Sequence, residues 1–243
     1  MNIVLTGHKG FIGSHYLEYI NKDNNVFTFD KASGQDLKEY NILDDAPVTD
    51  VVVHMAATNG TKLFYEKPTE VTFNNTIPTF NLIKKYVGSN TKFVFASTCE
   101  IFNSAIDRGL YSVPTDEKVP IMFEDITNPR WSYSLPKALG ENLVANSGLP
   151  WLVIRYFNIY GPKQIDHFIT EFVLRVKKGE YYIKGNDTRS FCYIDDAVNQ
   201  IIKLSFNKNI KNTTFNIGNM SEEIRMFDLA KTLKEKIKSK TKL

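Results

Sequence analysis

A turn with three evenly spaced glycines near the start of the chain constrains the fold more than any other feature. The glycines are Gly7, Gly10 and Gly13. The apolar segment Asn2–Thr6 precedes the turn and an apolar stripe at helical spacing follows it, which predicts a strand, a turn and a helix. Glycine permits a tight turn with positive φ and lets the backbone approach a pyrophosphate closely. The helix start adds free N–H groups and a partial positive charge, so the turn is a candidate phosphate site.

The same glycine spacing also occurs in turns that only connect a strand to a helix. The residues that follow are therefore needed to distinguish a phosphate site from a simple connection. The next apolar strand ends at Asp30, 17 residues after Gly13. This lies near the distance of about 20 residues at which an acid meets the adenosine ribose in dinucleotide sites. A carboxylate there accepts hydrogen bonds from the ribose hydroxyls and repels a 2′-phosphate. NAD is therefore favoured over NADP, although Lys31 follows directly and would offset part of that repulsion.

Short apolar segments alternate with stretches of helical periodicity along the first two thirds of the chain. The segments predicted as strands are Asn2–Thr6, Val26–Phe29, Val51–Met55, Lys92–Ala96 and Trp151–Tyr156. The stripes predicted as helices contain Phe11, Ile12, Tyr16 and Ile20, then Phe73, Ile77, Phe80, Leu82, Ile83, Tyr86 and Val87, then Leu135, Leu139, Leu143 and Val144. Consecutive apolar residues suit strands buried on both faces. We predict an α/β fold with a Rossmann-type doubly wound parallel sheet.

The chain has 243 residues, which allows one large α/β domain with a modest appendage. Residues 1–160 are predicted to form the dinucleotide-binding domain. Residues 190–218 are predicted to return to it, through a helix capped by Asp195 and Asp196 and a last strand that contains Phe215. Residues 161–189 and 219–243 are left as a small, reduced substrate-binding part.

Composition excludes several classes of protein. Charged residues make up 23% of the chain, and 30 basic against 27 acidic residues leave a net charge of +3. That is too little to imply nucleic acid as the main partner. Two cysteines cannot form a disulfide framework, and the scattered histidines and cysteines give no metal-ligand spacing. No apolar run approaches the roughly 20 residues of a membrane span. We expect a cytoplasmic protein without a membrane or metal partner.

A tyrosine and a lysine four residues apart form the candidate catalytic pair. Tyr133 and Lys137 lie one turn apart on the same face of a predicted helix. An ammonium beside a phenol stabilises the phenolate, and the positive charge of NAD⁺ adds to this, so the phenol could act as a base near neutral pH. Thr98, at the end of a strand, would hydrogen-bond the hydroxyl that is deprotonated. The alternative is a pair that only packs at a surface.

With these features, the sequence resembles a known family, the NAD-dependent nucleotide-sugar epimerases and dehydratases of the extended short-chain dehydrogenase/reductase superfamily. The matching motifs run from Asn2 to about Gly218. They are Thr6-Gly7-x-x-Gly10-x-x-Gly13, Val53-His54-Met55-Ala56-Ala57, Asn75 with Thr79 and Asn81, Ser97-Thr98-x-Glu100, Tyr133-x-x-x-Lys137, Arg155-Tyr156-Phe157-Asn158-Ile159-Tyr160-Gly161-Pro162, Arg189-Ser190-Phe191-x-Tyr193-x-Asp195-Asp196, and Asn216-Ile217-Gly218.

The resemblance implies oxidation at a sugar carbon of a nucleotide diphosphate sugar, with Tyr133 removing the proton from a hydroxyl, usually O4. The implied NAD-binding residues are Gly7, Gly10, Phe11, Ile12, Gly13, Asp30, Ala56, Tyr133 and Lys137. Thr98 is implied to position the sugar hydroxyl, and Asn158 and Arg189 match positions that contact the diphosphate. The alternatives are a turn residue for Asn158 and a surface salt bridge for Arg189. For His54, a satisfied structural histidine is the favoured interpretation.

Departures from the family pattern narrow the implied reaction. Cys99 occupies the place where 4,6-dehydratases of the family carry an aspartate, which counts against 4,6-dehydration. Glu100 matches an acid found in decarboxylases and several epimerases, so it is a candidate second acid or base. A buried carboxylate that only orients its neighbours is the alternative. We predict a C4-oxidising epimerase that forms a homodimer. The alternatives are a decarboxylase, a ketosugar reductase and a non-catalytic NAD-binding sensor.

Overall fold

The computed structural model describes residues 1–165, 167–180 and 187–237. Strands in the described residues are Asn2–Thr6 (β1), Asn25–Phe29 (β2), Val51–His54 (β3), Lys92–Thr98 (β4), Trp151–Tyr156 (β5), Asn158–Tyr160 (β6), Thr188–Arg189 (β7), Phe191–Tyr193 (β8), Thr213–Ile217 (β9) and Ile224–Arg225 (β10). Helices are Phe11–Ile20 (α1), Thr61–Glu66 (α2), Pro68–Tyr86 (α3), Asn103–Asp107 (α4), Ser134–Ala145 (α5), Phe168–Lys177 (α6), Ile194–Phe206 (α7) and Met226–Lys236 (α8).

Six parallel strands form the central sheet in the order β2-β1-β3-β4-β5-β9. Every residue of β3 and β4 is buried, as their consecutive apolar residues predict for strands covered on both faces. One core packs the sheet against α1 and α7, and a second packs the other face against α3 and α5. The predicted doubly wound sheet is confirmed. Its strand order reverses between β1 and β3, where such folds bind ligands at the carboxyl edge.

The inner face of α3 differs from the apolar stripe that the sequence predicts. Phe73 and Phe80 are 55% and 53% exposed, whereas Asn75 and Thr79 are buried. The Asn75 amide donates to the Thr58 carbonyl at 2.9 Å and accepts from the Thr58 N–H at 3.0 Å. The helix therefore uses polar residues to hold the loop after β3, and two of its large apolar side chains face outward.

The start of α7 also corrects the prediction. The helix is capped by Tyr193, without a hydrogen bond from its side chain, and Asp195 and Asp196 lie in the first turn. Carboxylates in a first turn still stabilise the helix through its dipole, so the two acids favour the same helix from a different position. Ahead of α7, β8 pairs with β6, and after it β9 joins the central sheet beside β5. None of the described helices is long and apolar enough to cross a membrane.

Candidate active site

The glycine turn closes tightly between β1 and α1. The Gly7 N–H donates to the Phe29 carbonyl at 2.9 Å, and the Gly10 N–H donates to the Gly7 carbonyl at 3.0 Å. Gly7 has φ +76°, and a Cβ on it would lie 2.6 Å from the Ala56 nitrogen. A Cβ on Gly13 would lie 2.1 Å from the Gly7 oxygen. Side chains are excluded at both positions, which leaves backbone N–H groups at the start of α1 accessible to an anion.

Replacing Gly13 by alanine should disrupt this turn. The added Cβ would push the Gly7 carbonyl out of place, because backbone at that distance has to move; overpacking of this kind costs about 1–3 kcal/mol. We expect Gly13→Ala to lower the melting temperature and weaken NAD binding by at least tenfold in titration calorimetry. Gly10→Ala is the graded comparison, because its Cβ would lie 3.2 Å from the same oxygen, a tight contact that should cost less than the one at Gly13. A native melting temperature and NAD affinity for Gly13→Ala would contradict this account of the turn.

Asp30 is fixed at the end of β2 by two backbone donors. Its Oδ1 accepts from the Ala32 N–H at 2.8 Å, and its Oδ2 accepts from the Lys9 N–H at 2.9 Å. The Lys31 ammonium lies 3.6 Å from Asp36, so its charge is shared with a second acid. The carboxylate thus stands at the carboxyl edge of the sheet beside the glycine turn. This fits the ribose hydroxyls of a dinucleotide that lacks a 2′-phosphate.

Thr98, Tyr133 and Lys137 meet at the carboxyl end of β4. Thr98 is the last residue of β4, Tyr133 immediately precedes α5, and Lys137 follows one turn later. All three are buried. The Lys137 ammonium donates to the Ala96 carbonyl at 2.7 Å and lies 5.9 Å from the centre of the Tyr133 ring. The fold therefore brings the predicted pair and the predicted threonine into one cluster.

The protein's own groups do not lower the pKa of Tyr133, contrary to the expectation for a phenol beside a lysine. Burial raises it, the charge of Glu100 adds to the rise, and a hydrogen bond with Thr98 opposes it. Burial also lowers the pKa of Lys137 to about 7, so the ammonium is only partly charged at neutral pH. Desolvation therefore dominates both groups, and a reactive phenolate would need a further positive charge, which a bound NAD⁺ would supply.

Glu100 is held by an arginine that the sequence analysis missed. Arg130 NH1 donates to Glu100 Oε2 at 2.8 Å, with the two side chains 30% and 27% exposed. The Arg130 guanidinium also lies 5.5 Å from the centre of the Phe64 ring. Phe64 stacks on Tyr133, with ring centres 5.5 Å apart and planes at 8°. The only signal available in the sequence was that Arg130 precedes Tyr133 by three residues.

The residues expected to contact the diphosphate lie on two short strands outside the central sheet. Asn158, on β6, donates to the Ser190 carbonyl at 3.0 Å, and Arg189 is an exposed residue of β7. Burial raises the pKa of the Cys99 thiol to about 12, Glu100 adds to the rise, and the Arg189 charge opposes it. Arg189 is therefore close enough to act on a group beside Glu100. In the described part of the chain, no three His, Cys, Asp or Glu residues could hold a metal ion.

A buried polar network supports the site from behind. The Ser97 hydroxyl donates to Glu141 Oε1 at 2.5 Å, and Arg155 donates to both Glu141 oxygens at 2.9 and 2.8 Å. These residues belong to β4, α5 and β5, so the network ties the helix that carries Lys137 to two strands. In the sequence, Arg155 stands out only as part of a motif, and Glu141 carries no signal that predicts a role.

His54 takes part in a separate buried chain of hydrogen bonds. Its ring nitrogens pair with the hydroxyls of Thr6 at 2.7 Å and Thr79 at 3.0 Å. Burial lowers the pKa of His54 to about 3, so the ring is neutral. Because Thr6 also accepts from the Ala56 N–H at 3.1 Å, this chain fixes the strand ends beside the glycine turn and the loop that follows β3.

A glycine turn, an acid fixed at the end of β2 and a buried tyrosine–lysine pair lie at one edge of the parallel sheet, an arrangement typical of nicotinamide-dinucleotide enzymes of the short-chain dehydrogenase/reductase type. The family model described as the NAD-dependent epimerase/dehydratase family matches residues 3–218. The chain belongs to this family. NAD is its cofactor, and the glycine turn and the fixed Asp30 carboxylate fit it.

Similar proteins include several enzymes that act on nucleotide sugars. The UDP-N-acetyl-α-D-glucosaminuronate decarboxylase of Bacillus cytotoxicus is 31% identical, with 90% of this chain and 75% of the decarboxylase covered. The dTDP-D-glucose 4,6-dehydratase of Dictyostelium discoideum is 30% identical, with 95% of this chain and 61% of the dehydratase covered. The UDP-glucose 4-epimerase of Thermotoga maritima superposes with a TM-score of 0.85 at 25% identity, over 100% of this chain and 84% of that one.

Proposed function

We propose that this protein oxidises the C4 hydroxyl of a nucleotide diphosphate sugar, with Tyr133 as the base. The observation that carries the proposal is the buried cluster of Thr98, Tyr133 and Lys137 at the same sheet edge as the glycine turn. Thr98 orients the sugar hydroxyl towards the phenol. Bound NAD supplies the acceptor for the hydride.

Lys137 links the base to the sheet in this reaction. Its ammonium is anchored on the Ala96 carbonyl and lies 5.9 Å from the centre of the Tyr133 ring, so it is fixed beside the tyrosine. With a pKa near 7, it can pass protons at neutral pH.

Asn158 and Arg189 supply an amide and a guanidinium for the diphosphate, since a guanidinium matches phosphate oxygens in geometry and charge. The substrate-binding part is proposed to comprise residues 161–189 and 219–243, of which residues 166, 181–186 and 238–243 lie outside the described ones.

Two outcomes can follow the oxidation. Epimerisation returns the hydride to the other face of the 4-keto sugar and requires no acid or base beyond the oxidation machinery, so it is the simplest product of this cluster. Decarboxylation is the second candidate, because the ion pair of Glu100 and Arg130 sits beside Thr98 and Tyr133. After the oxidation, a carboxylate on C5 is β to the 4-keto group and leaves as CO₂. The enolate that remains takes up a proton at C5, and return of the hydride to C4 gives the pentose. The similar decarboxylase from Bacillus cytotoxicus supports this candidate.

One assay separates these reactions. The protein, supplied with NAD, is incubated with UDP-glucose, UDP-N-acetylglucosamine, UDP-glucuronate and UDP-N-acetylglucosaminuronate, and the products are followed by NMR. A C4 epimer from a neutral sugar identifies the epimerase. Carbon dioxide and a pentose nucleotide from a uronate identify the decarboxylase. If NAD binds and dTDP-, GDP- and CDP-sugars also give no product, the NAD-binding sensor is the better description.

We also propose that the protein forms a homodimer through α3 and α5, which pack against each other. Phe73 and Phe80 on α3 and Leu139 on α5 are about half exposed, and exposed large apolar side chains on two packed helices are candidates for an interaction surface. Phe80→Glu should convert the dimer into a monomer in light scattering coupled to size exclusion. Phe227→Glu is the control, because this phenylalanine is equally exposed on α8. A wild-type monomer would contradict the proposal.

A further inference from the structure

Arg130 contacts two groups that flank the proposed base, although it belongs to none of the sequence motifs. It donates to the Glu100 carboxylate at 2.8 Å, and its guanidinium lies over the Phe64 ring at 5.5 Å from the ring centre. The same ring covers Tyr133 in a nearly parallel stack. One side chain therefore holds both the acid beside the phenol and the ring against which the phenol lies.

We propose that Arg130 is a positioning residue for Tyr133. Its ion pair offsets the negative charge of Glu100 beside the phenol, and its contact with Phe64 holds the surface on which the tyrosine ring stacks. This inference rests on the proposed function, in which the phenol takes a proton from the sugar.

The charges around the phenol determine what Arg130 can change. The titratable groups that face Tyr133 are Glu100 and Cys99 on the turn after β4, Tyr156 on β5 and Lys137 on α5. The thiol and Tyr156 stay neutral in the working pH range because burial raises the pKa of both. Glu100 and Lys137 therefore supply the charge.

The sign of the effect follows from the negative charge of Glu100. This charge raises the pKa of Tyr133. Without Arg130, Glu100 acts unpaired in a partly buried place where solvent screens it less than at the surface. The phenol then loses its proton at higher pH, and the rising limb of the kcat profile moves to higher pH.

The first experiment measures steady-state kcat and KM across pH, and in parallel the rate of the hydride step from the near-ultraviolet absorbance of NADH in a single turnover. Arg130→Met should move the rising limb upward by on the order of one pH unit with little change in KM. Arg130→Lys should restore much of the wild-type position, because it keeps the charge. Adding Glu100→Gln to Arg130→Met should move the limb back. Arg108→Met is the control, since Arg108 makes an exposed pair with Glu124 at 2.7 Å.

Two results would overturn the inference. An unmoved limb with a raised KM would show that Arg130 binds the substrate instead. A limb that stays shifted in the double variant would show that the effect does not pass through Glu100.

A second measurement needs no substrate and separates this inference from the proposed function. Carbon-13 at the hydroxyl-bearing carbon of the tyrosines gives one NMR signal per residue, and Tyr133→Phe assigns the signal of Tyr133. That signal should move in Arg130→Met and return when Glu100→Gln is added. If it does so while no sugar reduces bound NAD, the proposed function fails and the positioning role stands. If the Tyr133 signal does not move in Arg130→Met, the positioning role is rejected, whether or not the protein turns over a sugar.

Discussion

Tyr133→Phe should lower kcat for the sugar reaction by about 10²- to 10⁴-fold, the usual contribution of a positioned acid or base. The substitution removes one oxygen and keeps the ring that stacks on Phe64. Because the side chain of Tyr133 is buried, we expect no solvent molecule to take the place of its hydroxyl readily. The affinity for NAD and the melting temperature should change little, since the cofactor turn and the core are untouched.

The control for this prediction is Tyr40→Phe, which keeps the contact of the ring with Lys84 and should retain wild-type activity. Product formation is measured by NMR and NAD binding by calorimetry. A Tyr133→Phe variant that turns over at near-native rate with native NAD affinity would show that another group takes the proton. A variant that no longer binds NAD would instead place the phenol in cofactor binding.

The sequence predicted the parts of the site that lie at strand ends. The glycine turn, Asp30 and Thr98 each follow a buried apolar strand, and parallel strands bring their carboxyl ends to one edge of the sheet. Tyr133 and Lys137 could be paired because helical spacing is local. Their proximity to Thr98 depends on α5 packing against β4, and the doubly wound pattern predicts that packing.

Residues between the motifs could not be predicted in the same way. Arg130 and Phe64 reach the site from a short turn and a short helix, whose positions depend on loop geometry that has no periodic signal. Phe80 is half exposed while the polar Asn75 and Thr79 of the same helix are buried, which an apolar stripe cannot reveal. Lys92 is another case. It begins a buried strand, yet its ammonium donates to three carbonyls at the end of α7.

The pKa of Tyr133 shows why a motif alone does not determine chemistry. The sequence places a lysine beside a phenol, which favours the phenolate, but it does not give the degree of burial. The structure buries both groups, and desolvation raises the pKa of Tyr133 while it lowers that of Lys137. Both shifts oppose the charge separation that the motif suggests. The pair is therefore suited to activation by a cationic cofactor rather than to a permanent phenolate.

The largest effect on stability is expected at the buried ion pair of Glu141 and Arg155. Their side chains are 10% and 7% exposed. Glu141→Leu leaves the guanidinium without its carboxylate, and breaking a buried pair in this way costs about 3–5 kcal/mol. The free energy of unfolding in urea should fall by that amount in Glu141→Leu and similarly in Arg155→Met. The exposed ion pair of Arg108 and Glu124 is the comparison, and Arg108→Met should lower the free energy of unfolding by less than about 1 kcal/mol.

The double variant Glu141→Leu/Arg155→Met distinguishes the pair from simple packing. Removing both charges leaves neither one buried alone, so the double variant should regain part of the lost stability. Losses that add up in the double variant would show that the two side chains act independently. Because Ser97 joins the same network one residue before Thr98, the single variants should also lower kcat at temperatures where they remain folded. Loss of the pair would then loosen the contact between α5 and β4 that sets Tyr133 and Lys137 beside Thr98.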